Sequence, residues 1–210
     1  NTPFEKIWIQ PAAGDGGTSI GVASYIYNSI LGHKREYCLK DAYFGPSFST
    51  EEIKYVLDGN GIKYSVFKDD AELVKTTAKL IHDNNVVGWF HGGMEWGPRA
   101  LGSRSILANP CNPQAKELLN SKVKHREKFR PFAPVVCEDD ALKYFECDKP
   151  ISEPTDYMLM VYPVKKEWRD KIPSITHVDG SGRLQTIRRF QNYLYYDVIK
   201  EFGKLSGIPI

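Results

Sequence analysis

His91-Gly-Gly-Met-Glu-Trp-Gly-Pro-Arg-Ala-Leu-Gly-Ser-Arg-Ser105 is the stretch on which the reading of this chain turns. Before it stands Val86-Val-Gly-Trp-Phe90, a short apolar run that predicts a buried strand. Four glycines and a proline then fall between residues 92 and 102, too many for the interior of a helix or strand. Arg99, Arg104 and Glu95 ride on this backbone. A strand that empties into a glycine-rich, arginine-bearing loop suits an anion such as phosphate. Glycines let backbone N–H groups approach, and guanidinium forks grip oxyanions with two bonds. A turn-rich loop with surface arginines is the plainer alternative.

Downstream, Gln114 to Val123 reads as helical and leads into Asn120-Ser-Lys-Val-Lys-His-Arg-Glu-Lys-Phe-Arg-Pro-Phe-Ala-Pro134. Eight Lys or Arg lie between Arg99 and Arg130, opposed only by Glu117 and Glu127, whereas the whole chain carries a net charge of +2. The positive charge is therefore local, a field suited to a polyanion. Phe129, Pro131, Phe132 and Pro134 thread through it, which a solvated helix face would not explain. Further on, Ile175 to Ile187 reads as an extended segment broken by a Gly-Ser-Gly turn. His177, Asp179, Arg183 and Gln185 alternate along it, and residues two apart share a strand face. A buried Arg/Gln pair needs a partner. Phosphate, ribose or a purine edge would serve, and so would a closed network of structural hydrogen bonds.

The rest of the chain alternates helix and strand. Lys6 to Ile9 is expected as a strand, Pro11 to Gly17 as a tight loop, and Thr18 to Ile30 as a helix. Such a unit cannot bury its own faces, so it belongs to something larger. Residues 34–50 have the texture of a linker. A helix capped by Ser49 or Thr50 follows, ending near Gly59-Asn-Gly61. Then come a strand at Tyr64 to Phe67 and a helix from Asp69 to about Asn84. After Pro134 the expectations are a strand at Val135-Val136, a helix from Glu138 to Phe145, a loop over 148–155 and a strand at Tyr157 to Tyr162. Met158 and Met160 should be core filler. The last element is a helix from Asn192 to Ser206 with Tyr195, Val198, Ile199, Phe202 and Leu205 inward. Hydrophobic content of 41% and aromatic content of 12% suffice for a core. No apolar run reaches membrane-span length and no signal peptide is visible. Cys38, Cys111, Cys137 and Cys147 form no CxxC pair, which suits reduced cysteines in a cytoplasmic protein.

Several separated motifs carry a resemblance. Gly97 to Ile106, Asn120, Lys122, Lys124-His-Arg-Glu127, Phe129 to Pro134, Thr176 to Thr186, and Gln10 to Gly17 together look like the C-terminal part of NodU/CmcH-type carbamoyltransferases. The resemblance implies an α/β fold with a YrdC-like twisted mixed sheet and flanking helices over residues 51–210, truncated at its C-terminus. Residues 34–50 would be the linker, and residues 1–33 a fragment of an N-terminal ASKHA-type (Kae1-like) domain of the parent chain. It implies that ATP, with magnesium, and carbamoyl phosphate react to carbamoyl-adenylate and pyrophosphate. The carbamoyl group would then pass to a hydroxylated small molecule or saccharide. Arg99, Arg104, Lys124 and Arg130 would act on the phosphates, while Lys122, Arg126, His177, Arg183, Gln185 and Thr186 would bind nucleotide or carbamoyl group. Glu95 and Glu127 would orient these cations by ion pairing. Asp15 matches a position that helps bind a divalent metal, iron in expectation, beside histidines this chain lacks. Otherwise it is a turn residue or helix cap. The isolated segment would be an enzyme piece, active or not without the parent's other domain. A nucleic-acid-binding module is the other reading, disfavoured by the balanced net charge and the absence of a nucleic-acid motif.

Overall fold

A computed structural model describes residues 3, 4, 6–147 and 149–210. Asp148, which opens the expected 148–155 loop, and residues 1, 2 and 5 of the expected N-terminal fragment lie outside the described residues. Helix α1 (Thr18–Ser24) continues as a π-helical turn over Tyr25–Ile30, and neither buries a residue. Next come α2 (Thr50–Gly59) and α3 (Asp70–His82). Ser49 rather than Thr50 caps α2. The Glu52 N–H donates to Ser49 Oγ, and the Ser49 N–H returns a bond to Glu52 Oε2 at 2.7 Å, closing a capping box. Asp69 caps α3. Strands β1 (Val87–Phe90) and β2 (Arg104–Leu107) pair antiparallel across the 91–103 loop. A short α4 (Ala115–Leu118) runs into a π-helical turn at Leu119–Val123. β3 (Val135–Cys137) leads directly into α5 (Glu138–Tyr144). After β4 (Tyr162–Pro163), α6 (Lys166–Arg169), β5 (Ser181–Gly182) and β6 (Gln185–Ile187), the long α7 (Tyr193–Ser206) closes the chain.

The molecule is α/β. Among the described residues, strand pairing falls into three two-stranded ladders in place of one mixed sheet: β1–β2 antiparallel, β3–β6 parallel and β4–β5 antiparallel. The strands are two to four residues long and bounded by Gly, Pro or tight turns, which leaves little edge to join them. α3 packs on α7, with α3 against β1 and α7 against β3, and Ala78, Ile81, Trp89, Val198 and Phe202 lie in the core between them. A second core lies around β3, α5 and β4, with Val136, Phe145, Val164 and Leu184 fully buried.

Four local expectations differ. Residues 6–9 form no strand, since no neighbour offers a ladder and Ile7 and Trp8 are exposed. Tyr64 to Phe67 is likewise unpaired and exposed. Of Tyr157 to Tyr162 only Tyr162 joins a strand; the rest is a turn that buries Tyr157 and Met158 and leaves Val161 exposed. A 3-10 turn spans Glu153–Tyr157, Met158 takes a left-handed φ of 58°, and Leu159 N–H bonds back to Pro154 O. Met158 fills the core there beside Leu101 and Tyr157. Leu205 points out of α7, 46% exposed, whereas Tyr195, Val198, Ile199 and Phe202 point inward. The second half of the 34–50 stretch is bound to the glycine-rich loop. Gly45 N–H donates to Met94 O, Met94 N–H to Pro46 O, and Trp96 N–H to Ala42 O.

Candidate functional site

The glycine-rich loop is shaped by one carboxylate. Glu95 Oε1 accepts the backbone N–H groups of Leu101, Ser103 and Arg104 at 2.8, 2.8 and 3.1 Å. The glycine-rich loop was expected to offer backbone N–H groups to an anion, and Glu95 was expected to pair with an arginine. The carboxylate instead fills the nest from within the chain and freezes the loop. At Gly102, φ is +111° and an added Cβ would lie 2.2 Å from the Tyr195 ring. The carbonyl of Gly102 accepts from Trp89 Nε1 and from Asn192 Nδ2, the side chain that caps α7. Loop, strand and helix are thereby locked in one register.

Two arginines on this scaffold stand out. Arg99, on the loop, and Arg183, between β5 and β6, each have a buried Nε with no hydrogen-bond acceptor among the described residues. Burial, then the charges of Arg99 and Arg126, hold the Arg183 pKa below its ordinary value, which places three guanidinium groups in one neighbourhood. Among the described residues none of the three forms an ion pair. Arg126 is held by Asn120 Oδ1 at 2.7 Å and lies 4.8 Å over the Phe132 ring. Asn120 is completely buried, and its Nδ2 donates to Lys128 O and Arg130 O, so one side chain folds the basic 120–130 segment. His177 sits beside this group. Burial lowers its pKa first, Arg183 and Lys116 lower it further, and Asp179 opposes them.

The remaining expected residues are placed elsewhere or otherwise engaged. Arg104 turns into the loop, donating to the carbonyls of Ser103, Gly92, His91 and Pro46 at 2.9 to 3.3 Å, with its guanidinium 3.6 Å over Phe90. Lys122 and Lys124 are exposed beyond α4. Arg130 is exposed and pairs with Glu127 at 2.9 Å, the kind of pairing expected of Glu127. Gln185 is buried, and its Nε2 donates to Leu101 O at 2.9 Å, tying β6 to the loop. Thr186 points the other way. Its hydroxyl donates to Asp156, which also pairs with Arg188. Asp15 stands in a 3-10 turn at the rim of a cavity of about 460 Å³, which the 9–16 loop shares with Trp96, Gly97, Pro98 and Arg99. Among the described residues no three His, Cys, Asp or Glu side chains gather to hold a metal, so Asp15 would need ligands from outside them. Lys116 and Ser181 join the site without having been singled out. Lys116 was one cation among eight, and Ser181 looked like a turn residue.

Comparison with known proteins agrees with the motifs. A family model described as Carbamoyltransferase C-terminus matches residues 78–210. A Synechocystis protein of uncharacterised function is 39% identical over 99% of this chain and 37% of its own length. Nodulation protein NolNO of Sinorhizobium fredii is 38% identical over 99% of this chain and 30% of its own, and nodulation protein U of Rhizobium tropici 36% over 99% and 33%. The chain thus spans about a third of the length of these curated relatives.

Proposed function

This chain belongs to the carbamoyltransferase family through its C-terminal domain, and from that premise we propose that its arginine cluster binds carbamoyl phosphate and the phosphates of ATP. The observation that carries the reading is the pair of buried, unpartnered Nε atoms on Arg99 and Arg183, with Arg126 alongside. Like charges half-buried together are costly in an empty site and favourable around a polyanion. Nucleotidyl transfer asks for positioning and charge neutralisation more than for a nucleophile, which is what such a cluster offers.

In this reading carbamoyl phosphate, ATP and one water give carbamoyl-adenylate, pyrophosphate and inorganic phosphate. Arg99, Arg126, Arg183 and Lys116 would hold the phosphates, while exposed Lys122 and Lys124 would draw in the nucleotide. Arg104 and Gln185 would serve by holding the loop that presents Arg99. Magnesium would arrive with ATP, which needs few dedicated carboxylates. The acceptor hydroxyl and any metal beside Asp15 would belong to the remainder of a longer protein. The unburied faces of α1 and its π turn, with Tyr25, Ile26, Ile30 and Leu31 exposed, are suited to packing against it. The test is pyrophosphate release by the full protein. Release that requires both ATP and carbamoyl phosphate, and that Arg183→Ala abolishes, is expected. Release with ATP alone, or untouched by the substitution, would refute the assignment.

A further inference from the structure

The 176–186 segment carries an arrangement that anion binding alone does not use. Ser181 Oγ lies 2.7 Å from Asp179 Oδ1 and 3.0 Å from His177 Nδ1. A serine hydroxyl has a single hydrogen, and a carboxylate can only accept. Asp179 is held below the usual carboxylate range, first by its hydrogen bonds from Ser181, so it is ionised and takes that hydrogen. The Ser181 N–H donates to the same carboxylate oxygen at 3.0 Å, steadying the turn. Ser181 Oγ is left with lone pairs for His177, and Nδ1 must therefore carry a proton. A neutral imidazole protonated on Nδ1 has its lone pair on Nε2. Burial disfavours the imidazolium, as do the nearby Arg183 and Lys116, and together they outweigh the opposing charge of Asp179, so the pKa lies below its ordinary value. Arg99, Arg126, Arg183 and Lys116 are donors only. His177 Nε2 is then an acceptor on a side chain near Arg183 and Lys116, which can only donate.

A fully ionised phosphate monoester has no hydrogen to give such an acceptor, but an amide-bearing ligand does. We propose that His177 Nε2 accepts a hydrogen bond from the amino group of the carbamoyl ligand, with Ser181 and Asp179 positioning it by locking its tautomer, so that the site selects carbamoyl over acetyl. The inference rests on the function proposed above. Carbamoyl and acetyl phosphate differ by NH2 against CH3 at similar size. A site built to hydrogen-bond a ligand N–H rejects the analogue lacking it, because its own acceptor is left unpaired.

The test is competitive titration of the full protein with carbamoyl phosphate, acetyl phosphate and inorganic phosphate. The wild type should prefer carbamoyl to acetyl phosphate by about tenfold or more, and His177→Phe should bring that ratio to about one. Ser181→Ala should narrow the ratio, while Ser181→Thr, which keeps the hydroxyl, should retain it. Nitrogen-15 NMR of His177 near neutral pH should show a protonated Nδ1 in the wild type and a tautomer mixture in Ser181→Ala. This readout does not depend on the stability of the phenylalanine variant. An unchanged ratio in His177→Phe, an equal loss of both ligands, or a proton on Nε2 would overturn the proposal. Binding of all three anions without preference overturns the role of His177 alone. Binding of none overturns the arginine-pocket reading, and this inference with it.

Discussion

Replacing Gly102 by alanine tests how tightly the loop is locked against α7. The new Cβ would lie 2.2 Å from Tyr195 Cδ1 and 2.4 Å from Cε1. Carbon atoms pack at about 3.5–4.0 Å, so the ring must retreat by more than an ångström. Tyr195 is only 5% exposed and sits in the core with Trp89, Leu107, Val198 and Ile199, so its retreat must displace packed neighbours or use the small cavity it lines. Nor can the backbone rotate away, because Trp89 and Asn192 both hold the Gly102 carbonyl at 3.0 Å. Strain at φ +111° costs about 1–3 kcal/mol and overpacking another 1–3. The sum centres on about 4 kcal/mol, or a fall in Tm of about 8–16 °C for a chain of this size. Urea unfolding would measure it, in the wild type and in a Tyr195→Leu background. With the ring removed, Gly102→Ala should cost only the backbone part, about 1–3 kcal/mol. A cost below about 1 kcal/mol in the wild type, or the same cost in both backgrounds, would refute the reasoning.

Glu95→Ala strands three loop N–H groups, and since water can reach this part-buried site we expect a loss of about 2–4 kcal/mol in urea unfolding. Glu95→Gln keeps an acceptor oxygen and should lose less than half of that; equal losses would mean the carboxylate charge does nothing. Stability should also fall with acid in a defined window. Burial holds His91 and His177 below their ordinary pKa of 6.5, so the unfolded chain binds their protons first. Stability is fully present above pH 6.5 and is lost as pH drops from there through the two folded values. Asp156 contributes with the opposite sign. Burial raises its pKa, so protonating it relieves a penalty as pH falls. Unfolding midpoints of wild type and His91→Gln between neutral pH and pH 5 should converge as the medium is acidified. Parallel curves would contradict the account.

The long amphipathic helices were legible because periodicity and caps agree: Ser49, Asp69 and Asn192 each cap the helix their position announces. Strand β1 was legible as a bounded apolar run, but not its burial, since Trp89 alone is buried and Phe90 is 54% exposed. The 157–162 turn was not, since an apolar run does not fix a strand and only the bonds of Met158 and Leu159 decide its shape. Lys6 to Ile9 has strand composition, but a ladder needs a neighbour that composition cannot supply. At the site, the sequence named Arg99, Arg126, His177 and Arg183, yet could not separate them from Arg104 and Gln185, whose polar atoms go to backbone carbonyls. Which cation meets a ligand and which staples a loop depends on direction, and neighbouring residues of one type carry no sign of it. Glu95 shows the same limit. A carboxylate amid arginines reads as an ion pair until its three backbone donors are seen.

The central claim, a polyanion pocket built on Arg99 and Arg183, is tested most directly by calorimetric titration with Mg-ATP and with carbamoyl phosphate. The account predicts saturable one-to-one binding that Arg99→Ala and Arg183→Ala each weaken tenfold or more, about 1.4 kcal/mol. Affinities unchanged in both variants, or no saturable binding by the full wild-type protein, would contradict it.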